Sequence, residues 1–356
     1  MKRPLRIAVI PGDGIGPEVV REGVRLLEWY RERRGLPLEL WPLDLGAERW
    51  LGEGVGLPDA LRAEIGASAA AVLLGALGDP RIPGHEHARA ILFGLRTGFD
   101  LYAQIRPARA LSDRLVPLRG RTRRDVDLVV FREGTEGLYA GIGGQLRRGT
   151  PDEIAIEEDV NTWRGVERIL RAAFEHARAE RRRLCMTDKS NALRHAHDLW
   201  QRVFASVRAE YPDVASEHLY VDALCHELVR DPARFSVIVT NNLFGDIVSD
   251  LCAALAGGLG VAPSATVHPG GAFPGLFEPV HGSAPALAGR GVANPIATLR
   301  TVGLLLDWLG FRSAHHEIEA ACAAAIDAGQ CTPDLGGPLT TEAVATAVLE
   351  RLESAL

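Results

Sequence analysis

The most constraining feature of this chain is a short strand that runs into a helix carrying two acids, in the segment VIVTNNLFGDIVSD at residues 237–250. Four β-branched residues open the segment, an Asn241-Asn242 pair marks a turn, and a helical pattern follows. Asp246 and Asp250 are four residues apart, which places both carboxylates on one helix face. Neighbouring carboxylates repel unless a cation lies between them, and their hard oxygens suit Mg²⁺ or Mn²⁺. The segment therefore predicts a divalent-metal site.

The alternative interpretation is that the two acids are solvated positions on an amphipathic helix, as most acid pairs with this spacing are. The neighbouring residues make that interpretation less favourable, because five apolar side chains surround the pair and indicate a crowded region. These are Leu243, Phe244, Ile247, Val248 and Leu251. Burying two carboxylates there without a counter-ion would be costly.

Composition indicates a globular protein with more than one domain. A chain of 356 residues is too long for one ordinary compact core. A hydrophobic content of 47%, a charged content of 24% and a formal net charge of -6 give no electrostatic preference for nucleic acid. Arginines cluster at residues 31–34, 119–124 and 178–183, but acids lie nearby, so we interpret these clusters as solvated surface.

Other sequence signals favour a cytoplasmic protein without a membrane partner. No stretch approaches the roughly 20 apolar residues that span a bilayer. The N-terminal segment MKRPLRIAVIPGDG enters a strand without the apolar run of a signal peptide. The five cysteines are scattered and contain no CxxC pair, which predicts neither a disulfide framework nor a zinc site. Cys185 and Cys252 have apolar neighbours and are expected to be core residues.

Strand-like and helix-like runs alternate along the chain, which is typical of a sheet covered by helices. Strands are expected at residues 5–10, 38–43, 70–74, 126–131, 183–187 and 237–240. Helices are expected at residues 17–33, 58–65, 162–180 and 192–210, with a mostly helical tail over 295–356. By contrast, residues 264–295 are rich in glycine, proline and histidine, and we expect neither regular helix nor central strand there.

The first strand leads into PGDGIGPE, which at first sight resembles a dinucleotide-binding fingerprint. The glycines are spaced Gly12-x-Gly14-x-Gly16 and not GxGxxG, and no acid follows the second strand where a ribose would need one. The segment instead predicts a tight turn, with Pro17 at the first helical position and Glu18 in the first turn. An ordinary Rossmann dehydrogenase is therefore excluded.

Six motifs in order carry a resemblance to a known family: IAVIPGDGIGPEVV, REGTEGLYAG, TDKSNAL, TNNLFGDIVSDL, FEPVHGSAP and ANP. They span almost the whole chain and resemble the β-decarboxylating dehydrogenases, which include 3-isopropylmalate, isocitrate, homoisocitrate and tartrate dehydrogenases. Within that family, LLGALGDP, DLGAERW and REGTEGLYAGIGG are most similar to the 3-isopropylmalate dehydrogenases of the actinobacterial type.

This resemblance implies an α/β fold that is not a Rossmann fold, with two domains. A central domain is inserted between the N- and C-terminal parts of the first. The expected boundaries are residues 1–101 plus 258–356 for a cofactor-binding domain, and residues 102–257 for a domain that holds substrate and metal. The second domain is also expected to form a homodimer with shared active sites.

The resemblance further implies the residues that carry the chemistry. Oxidising a 2-hydroxy acid with a 3-carboxylate gives a β-keto acid, and its loss of CO₂ leaves an enolate that a metal ion stabilises. Asp246 and Asp250 match the family's metal ligands, and Asp222 matches a third ligand that comes from the neighbouring subunit. Lys189 matches the general base for the hydroxyl, and Tyr139 matches the acid that protonates the enolate carbon.

Substrate carboxylates need planar, permanently charged donors, which makes arginine the natural residue. Arg96, Arg106 and Arg132 occupy three matching family positions. Each alone could be a structural ion-pair partner, but three in register with the motifs favour a dicarboxylate substrate.

The segment HARAILFGLR corresponds to the part of the family's sequences that contacts the group on carbon 3 of the substrate. It places Arg89, Leu92 and Phe93 there. Leu92 and Phe93 favour an apolar substituent. Phe93 replaces the usual leucine and Ala88 an acid, which alters the pocket. Arg89 is a candidate for meeting a further anionic group.

The cofactor-binding positions implied by the resemblance are Glu278, His281, Gly282, Ser283, Ala284, Ala286, Leu287, Asn294 and Asp334. NAD-dependent relatives carry an aspartate for the adenosine ribose after HGSAP, whereas Ala286 and Leu287 follow here. The Lys-Tyr pair of NADP-dependent isocitrate dehydrogenases is also absent from this point. We therefore expect NAD, with NADP not excluded.

The implied activity is the metal-dependent oxidative decarboxylation of a 3-substituted malate, in first place 3-isopropylmalate to 4-methyl-2-oxopentanoate in leucine biosynthesis. One alternative is a related enzyme acting on another 3-substituted malate, tartrate, isocitrate or homoisocitrate in a specialised pathway. An alternative of another class is a non-catalytic regulatory subunit. The presence of the base, the acid and all three metal-ligand positions argues against that last role.

Overall fold

The computed structural model describes residues 4–271 and 273–356 of the chain. Within them it forms twelve strands and eleven α-helices. The strands are β1 Leu5–Ile10, β2 Leu38–Pro42, β3 Ala71–Leu74, β4 Ala103–Arg109, β5 Asp127–Glu133, β6 Gly143–Leu146, β7 Ile154–Glu157, β8 Leu184–Asp188, β9 Ser216–Tyr220, β10 Val237–Thr240, β11 Pro263–Val267 and β12 Gly275–Pro279. The helices are α1 Gly16–Arg33, α2 Ala47–Glu53, α3 Asp59–Ser68, α4 Glu86–Gly98, α5 Trp163–Ala179, α6 Ala196–Ala209, α7 Val221–Arg230, α8 Asn242–Leu255, α9 Ile296–Trp308, α10 Arg312–Asp327 and α11 Thr341–Ser354.

Ten strands form one sheet in the order β2-β1-β3-β12-β11-β4-β5-β10-β8-β9, and β6 pairs with β7 in a separate ribbon. Both outer thirds of the large sheet are parallel, whereas β11 and β4 run antiparallel to β12 and β5 at its centre. This antiparallel centre distinguishes the sheet from an all-parallel, doubly wound one. The expected α/β class with a non-Rossmann arrangement is confirmed.

Helices cover both faces of the sheet, and alternate strand residues supply the two cores. On one face, here called the rear face, Val129 and Phe131 of β5 pack with α5, while α1, α9, α10 and α11 complete the same core. On the opposite face, the front face, Leu128 and Val130 pack with α7 and α8. The other half of the front face is covered by α3 and α4, whose Ile91 and Leu95 are fully buried. Strand β5 therefore contributes to both layers.

The prediction that residues 264–295 contain no central strand is wrong. Strands β11 and β12 lie in the middle of the sheet and pair antiparallel. The prolines are tolerated because they stand at strand ends: Pro263 opens β11, Pro279 closes β12, and the two face each other in register. The turn between the strands uses Gly270 at φ +93° and Gly271 at φ +56°, which glycine adopts readily.

Most of the other predicted elements are present within a few residues of their expected ends, including the strands Leu5–Ile10 and Val237–Thr240 and the helical tail. The sequence patterns missed helix α4 and strand β4, and also the short elements α2, α7, β9 and the β6–β7 ribbon. All five cysteines are free, and Cys185 and Cys252 are buried as expected. In the described part of the chain, no helix combines the length and the apolar character that crossing a bilayer requires.

Candidate active site

Three arginines predicted to hold substrate carboxylates lie on the front face. Arg96 belongs to the last turn of α4, Arg106 to β4 and Arg132 to β5. Arg106 and Arg132 both reach α8, because β4 and β5 are neighbours in the sheet. Arg96 pairs with Glu278 of β12, with 2.5 Å between Nη2 and Oε1. The fold therefore gathers these three guanidinium groups between α4 and α8, in a space here called the front cleft.

The two acids of α8 meet these arginines directly. Asp246 Oδ1 accepts hydrogen bonds from Arg132 and from Arg106, the latter at 3.3 Å. Arg106 Nη1 also lies 3.6 Å from Asp250 Oδ1 and donates to Ser249 Oγ at 2.8 Å. One cationic nitrogen thus lies between the two carboxylates. This agrees with the expectation that two neighbouring carboxylates need a cation between them.

The environment of the acid pair is less crowded than the sequence suggested. Val248 is fully buried, but Ile247 is 55% exposed, and the side chains of Asp246 and Asp250 are 38% and 53% exposed. The helix therefore buries one side against β5 and presents the acids at its edge. From that edge both carboxylates are accessible to a ligand.

Burial and charge set the protonation states of the front cleft. Burial lowers the pKa of Arg106, and burial together with Arg106 lowers the pKa of Arg132 to about 10. Burial acts to raise the pKa of Asp246, but Arg132 and Arg106 lower it more, so this carboxyl is ionised at neutral pH. Burial raises the pKa of Asp250, with Asp246 adding to the effect.

The charges of the front cleft are balanced. Arg96, Arg106 and Arg132 supply three positive charges, and Glu278, Asp246 and Asp250 supply three negative ones. A divalent cation and a dicarboxylate dianion would enter together without changing this balance. That combination avoids the cost of a net buried charge.

The residues present fit a metal ion in part. Asp246 and Asp250 direct one oxygen each towards the same nitrogen of Arg106, so their geometry allows them to share one cation. Asp222, the predicted third ligand, does not join them. In the described ranges, no three histidine, cysteine, aspartate or glutamate side chains are grouped closely enough to hold a metal ion. A single chain therefore supplies two of the three predicted ligands at this place.

Tyr139 lies in the turn Leu138–Ala140 at the edge of the front cleft. Its hydroxyl donates to Asp246 Oδ2 at 3.0 Å, and the Arg132 guanidinium lies 5.3 Å from its ring centroid. Burial and the neighbouring Asp246 raise the pKa of the phenol. Tyr139 therefore carries its proton at neutral pH, beside the carboxylate that would bind the metal.

Lys189 and Asp222 form a second group, apart from the front cleft. Lys189 follows β8, and its Nζ lies 2.6 Å from Asp222 Oδ1 at the start of α7. Among the described residues, neither side chain makes a hydrogen bond or ion pair with Asp246, Asp250 or Tyr139. The structure therefore places the predicted catalytic residues of one chain in two groups without a direct hydrogen bond or ion pair between them.

Sequence reasoning missed the residues that fix the backbone around Lys189. The Lys189 amide donates to His197 Nδ1 at 2.7 Å, and His197 Nε2 lies 3.0 Å from the side-chain amide of Asn241. Asn241 in turn caps α8 by accepting from Phe244 N at 2.9 Å. Burial lowers the pKa of His197, which is therefore neutral at pH 7.

Lysine usage is a signal that could have singled out Lys189. The chain has 40 basic residues, of which only Lys2 and Lys189 are lysines. A chain that uses arginine for nearly every other positive charge places an amine here. Unlike a guanidinium, an amine can lose its proton and act as a base.

The predicted specificity residues occupy one face of α4, on the same helix as Arg96. The Arg89 guanidinium lies 5.3 Å from the Phe93 ring centroid, and Leu92 and Phe93 are half-buried. Arg89 also reaches the turn after Tyr139, because a Cβ added to Gly141 would be 2.6 Å from its Nη2. The face that carries these side chains therefore borders the front cleft near Tyr139.

The predicted cofactor loop packs against the glycine-rich turn at the start of α1. Ile15 N donates to Ser283 O at 2.8 Å, and a Cβ on Gly14 would be 2.0 Å from that same oxygen. Gly14 has a φ of +58°, so both its conformation and its neighbour require glycine. Ala284 packs on Ile15 in a small core with Val19 and Ala293.

Several residues of this region are arranged to receive a polar ligand. Asn294 Nδ2 donates to Asp334 Oδ2 at 2.9 Å, which brings these two predicted positions together. His281 Nε2 is buried without a hydrogen-bond partner in the described chain. Gly282, Ala286 and Leu287 are exposed beside it. An orphaned ring nitrogen next to an exposed loop fits a heterocycle with hydrogen-bonding edges, such as adenine.

Asp13 is a second residue that the sequence analysis missed. It is buried, and it accepts from Gly78 N at 2.8 Å and from Ala47 N at 2.7 Å. Its Oδ2 also lies 2.8 Å from Nε2 of His87, a fully buried residue of α4. The glycine-rich turn is confirmed as a tight turn, but it also holds the acid that ties α4 to the start of α2 and to the loop at Gly78. The sequence signal that could have identified Asp13 is its place as an acid between two glycines.

Gly245 gives the first testable prediction. A Cβ at this position of α8 would lie 2.5 Å from Arg132 Cγ, so Gly245→Ala is expected to displace Arg132. The kcat/KM for the dicarboxylate substrate predicted from the sequence should then fall by about 10- to 100-fold. The melting temperature should change little, because the cost of displacing Arg132 is opposed by the helix propensity of alanine, which exceeds that of glycine by about 1 kcal/mol. Steady-state kinetics and a melting curve measure both quantities. Gly52→Ala, where a Cβ meets nothing within 4 Å, is the control, and equal kinetics for the two variants would contradict the role given to Gly245.

Comparison with known proteins places the chain in one family. Residues 6–349 match the family model "Isocitrate/isopropylmalate dehydrogenase". The 3-isopropylmalate dehydrogenase of Thermobifida fusca is 50% identical over 323 residues, covering 90% of this chain and 91% of the relative. That of Clavibacter michiganensis is 47% identical and covers 99% of both chains. A crystal structure of isocitrate dehydrogenase from Methylococcus capsulatus superposes with a TM-score of 0.87 at 36% identity, covering 98% and 99% of the two chains. The chain belongs to the isocitrate/isopropylmalate dehydrogenase family.

Proposed function

We propose that the protein catalyses the oxidative decarboxylation of 3-isopropylmalate to 4-methyl-2-oxopentanoate and CO₂, with NAD as the oxidant and Mg²⁺ or Mn²⁺ as the metal. The observation that carries the proposal is the front cleft, where three arginines, two helix acids and a protonated tyrosine converge. Actinobacterial relatives named 3-isopropylmalate dehydrogenase, about half identical over most of the chain, support the substrate.

The residues of the chain have distinct tasks in this reaction. Arg96, Arg106 and Arg132 bind and orient the two substrate carboxylates through charge-assisted hydrogen bonds. A divalent cation held by Asp246 and Asp250, when bound, lowers the pKa of the substrate hydroxyl and stabilises the enolate oxygen. NAD⁺, which His281, Asn294 and Asp334 would hold, would supply the acceptor for the hydride of carbon 2. Loss of CO₂ from the oxidised substrate leaves its bonding electrons on carbon 3.

Two residues move the protons. Lys189 Nζ takes the proton of the substrate hydroxyl as the hydride leaves, which is a role for an unprotonated amine. The Tyr139 hydroxyl then gives its proton to carbon 3. Its hydrogen bond to Asp246 places that proton beside the metal-binding position. The apolar face of α4, with Leu92 and Phe93, receives the isopropyl group, and Arg89 closes its far end.

We further propose a homodimer in which each active site uses residues of both chains. The separation of Lys189 and Asp222 from the acids of α8 supports this arrangement. The β6–β7 ribbon exposes Ile142, Leu146, Ile154 and Ile156, each at least 45% accessible, and such a patch suits contact with a second copy.

The proposed organisation follows the distribution of the sites. A cofactor-binding domain comprises residues 1–101 and 258–356, and a substrate and dimerisation domain comprises residues 102–257. Arg96 and the cofactor-loop residues come from the first set, whereas Asp246, Lys189 and Tyr139 come from the second. The protein acts in the cytoplasm, where five free thiols are stable.

NAD is proposed over NADP, because Ala286 and Leu287 offer no cation for a 2′-phosphate. A regulatory role without catalysis is disfavoured, since the base, the acid and the metal-ligand positions are all present. The assays described next also measure activity on tartrate, isocitrate and homoisocitrate.

Steady-state assays with 3-isopropylmalate, isocitrate, homoisocitrate, tartrate and malate, each with NAD and NADP, test the proposal. We expect 3-isopropylmalate with NAD to have the largest kcat/KM, with one CO₂ released per NADH formed. Isocitrate should be at least about tenfold poorer, because its charged substituent would lie against Leu92 and Phe93. A larger kcat/KM for another 3-substituted malate would show that this other compound is the substrate, while the proposed reaction type would still hold. NADH formation without CO₂ would exclude the reaction itself.

A further inference from the structure

The rear face of the sheet has a second opening, opposite the front cleft. Helix α5 covers β5 and β10 there, and α9 covers β11 and β12, which leaves β4 open between them. A cavity of about 300 Å³ lies in this gap, and an adjoining cavity of about 610 Å³ extends it along α10. Both are lined by Arg109, Asp127, His316 and Glu319. We call the two cavities together the rear groove.

The floor of the rear groove is apolar. It is formed by alternate residues of the central strands and by two residues of α9: Ile105, Val129, Ala265, Val267, Phe277, Leu304 and Trp308. Phe277 and Trp308 pack together with ring centroids 6.5 Å apart. A floor of this kind favours an apolar or aromatic ligand body.

The rim of the groove carries charges, and most of them are already paired. Arg182 binds Asp127 at 3.0 Å, Arg312 binds Glu180, and Arg300 binds Glu319 at 2.6 Å. Arg123 at the outer end lies 3.2 Å from Asp327. Within each of these four pairs the positive and the negative charge cancel, so this part of the groove wall is locally neutral.

Two arginines of the rim have no such partner. The side chains of Arg109, at the end of β4, and of Arg124 make no hydrogen bond or ion pair with any described residue, although both line the larger cavity. The one unpaired acid of the lining is Asp307, which lines the smaller cavity only. The larger cavity therefore presents two guanidinium groups without a direct ion-pair partner, and the acid near Arg109, Glu319, is already paired with Arg300.

Three histidines add uncommitted polar atoms. His176, His315 and His316 line the groove, and none makes a side-chain hydrogen bond within the described residues. His315 Nδ1 is moreover buried without a partner. Burial lowers the pKa of His176 and of His315, so both rings are neutral at pH 7 and available as donors or acceptors.

We propose that the rear groove binds one small organic anion with an apolar body, whose anionic group pairs with Arg109 and Arg124 while its apolar part lies over Leu304 and Trp308, which are partly exposed. Charge complementarity and the apolar floor carry the assignment. The site is separate from the front cleft, but it uses the same strands. Residues Ile105 and Pro107 of β4 line the rear groove, and Arg106 between them points to the front.

The test is a fluorescence titration with 8-anilinonaphthalene-1-sulfonate, which combines one sulfonate with aromatic rings. The full-length protein is used with saturating NAD⁺ and Mg²⁺, so that the front side is occupied. We expect one saturable site per chain. Arg109→Ala combined with Arg124→Ala should weaken binding by about tenfold or more, because charge-assisted hydrogen bonds are lost. Both side chains are exposed, so the variant should keep its fold, which circular dichroism checks.

Two further variants make the result specific. Ala320→Trp fills the larger cavity without removing a charge and should also abolish binding of the probe. Arg208→Ala removes an exposed arginine of α6, outside both cavities, and should leave the titration unchanged. The inference is overturned if the probe does not saturate, or if the double variant and the Ala320→Trp protein titrate like the wild type. Because the readout is binding, it does not depend on the activity proposed for the front cleft.

Discussion

Lys189→Met is expected to lower kcat for hydroxy-acid oxidation by about 10²- to 10⁴-fold, the contribution typical of a general base. Methionine is an unbranched side chain of similar length that has no amine. The Lys189 amine pairs with Asp222, whose side chain is 68% exposed, so solvent weakens this ion pair and we expect little stability to be lost with it. The measurement is steady-state turnover with 3-isopropylmalate, NAD and Mg²⁺, together with the KM of each.

The chain offers an unusually clean control for this experiment, because Lys2 is the only other lysine. Lys2→Met should retain full activity. The KM for substrate should change much less than kcat in Lys189→Met, since the carboxylate-binding arginines of the front cleft are untouched. Unchanged turnover would remove Lys189 from the mechanism, whereas a large rise in KM with unchanged kcat would make it a binding residue.

Mixing two inactive variants is expected to restore activity. Lys189→Met and Asp246→Asn should each be inactive alone, because one lacks the base and the other a metal ligand. If each site takes Lys189 and Asp222 from one chain and Asp246 and Asp250 from the other, half of the sites in a mixed dimer are intact. Random pairing should then recover about a quarter of wild-type activity.

The structural reason for this expectation is that the predicted catalytic residues of one chain form two groups without a direct hydrogen bond or ion pair between them. Lys189 is held by Asp222 and, through its backbone, by His197, and no described hydrogen bond or ion pair joins its side chain to the α8 acids. A heterodimer co-purified through two different affinity tags provides the sample and should reach about half of wild-type activity, and the two separate homodimers are the controls. No recovery in a verified heterodimer would show that each chain builds its own complete site.

The acid pair of α8 shows how far sequence patterns reach. Asp246 and Asp250 were placed on one helix face from their spacing alone, and the structure has that geometry. The cation found between them is Arg106 of β4, which precedes Asp246 by 140 residues in the chain. Spacing along a helix is a local property, so it was predictable. The arginine was predicted as a substrate ligand, but its contact with both acids depends on which strands are neighbours.

The central strands show where sequence patterns fail. Glycines and prolines between residues 264 and 295 predicted an irregular segment, because such residues break regular hydrogen bonding. Strands β11 and β12 nevertheless occupy the middle of the sheet, since Pro263 and Pro279 stand at their ends and face each other. A count of prolines carries no information on whether they fall inside a strand or at its border.

The sequence by itself determined the fold class, the order of most helices and strands, and the residue types available for chemistry, because these depend on local periodicity and on motifs within a few turns. Only the tertiary structure decided three further things: that β11 and β4 run antiparallel in the middle of the sheet, that Asp13 binds His87 on α4, and that the rear face stays open beside β4. Each of these depends on strand order and on contacts between residues far apart in the chain. Side-chain periodicity specifies which face is buried, but not which distant face it meets.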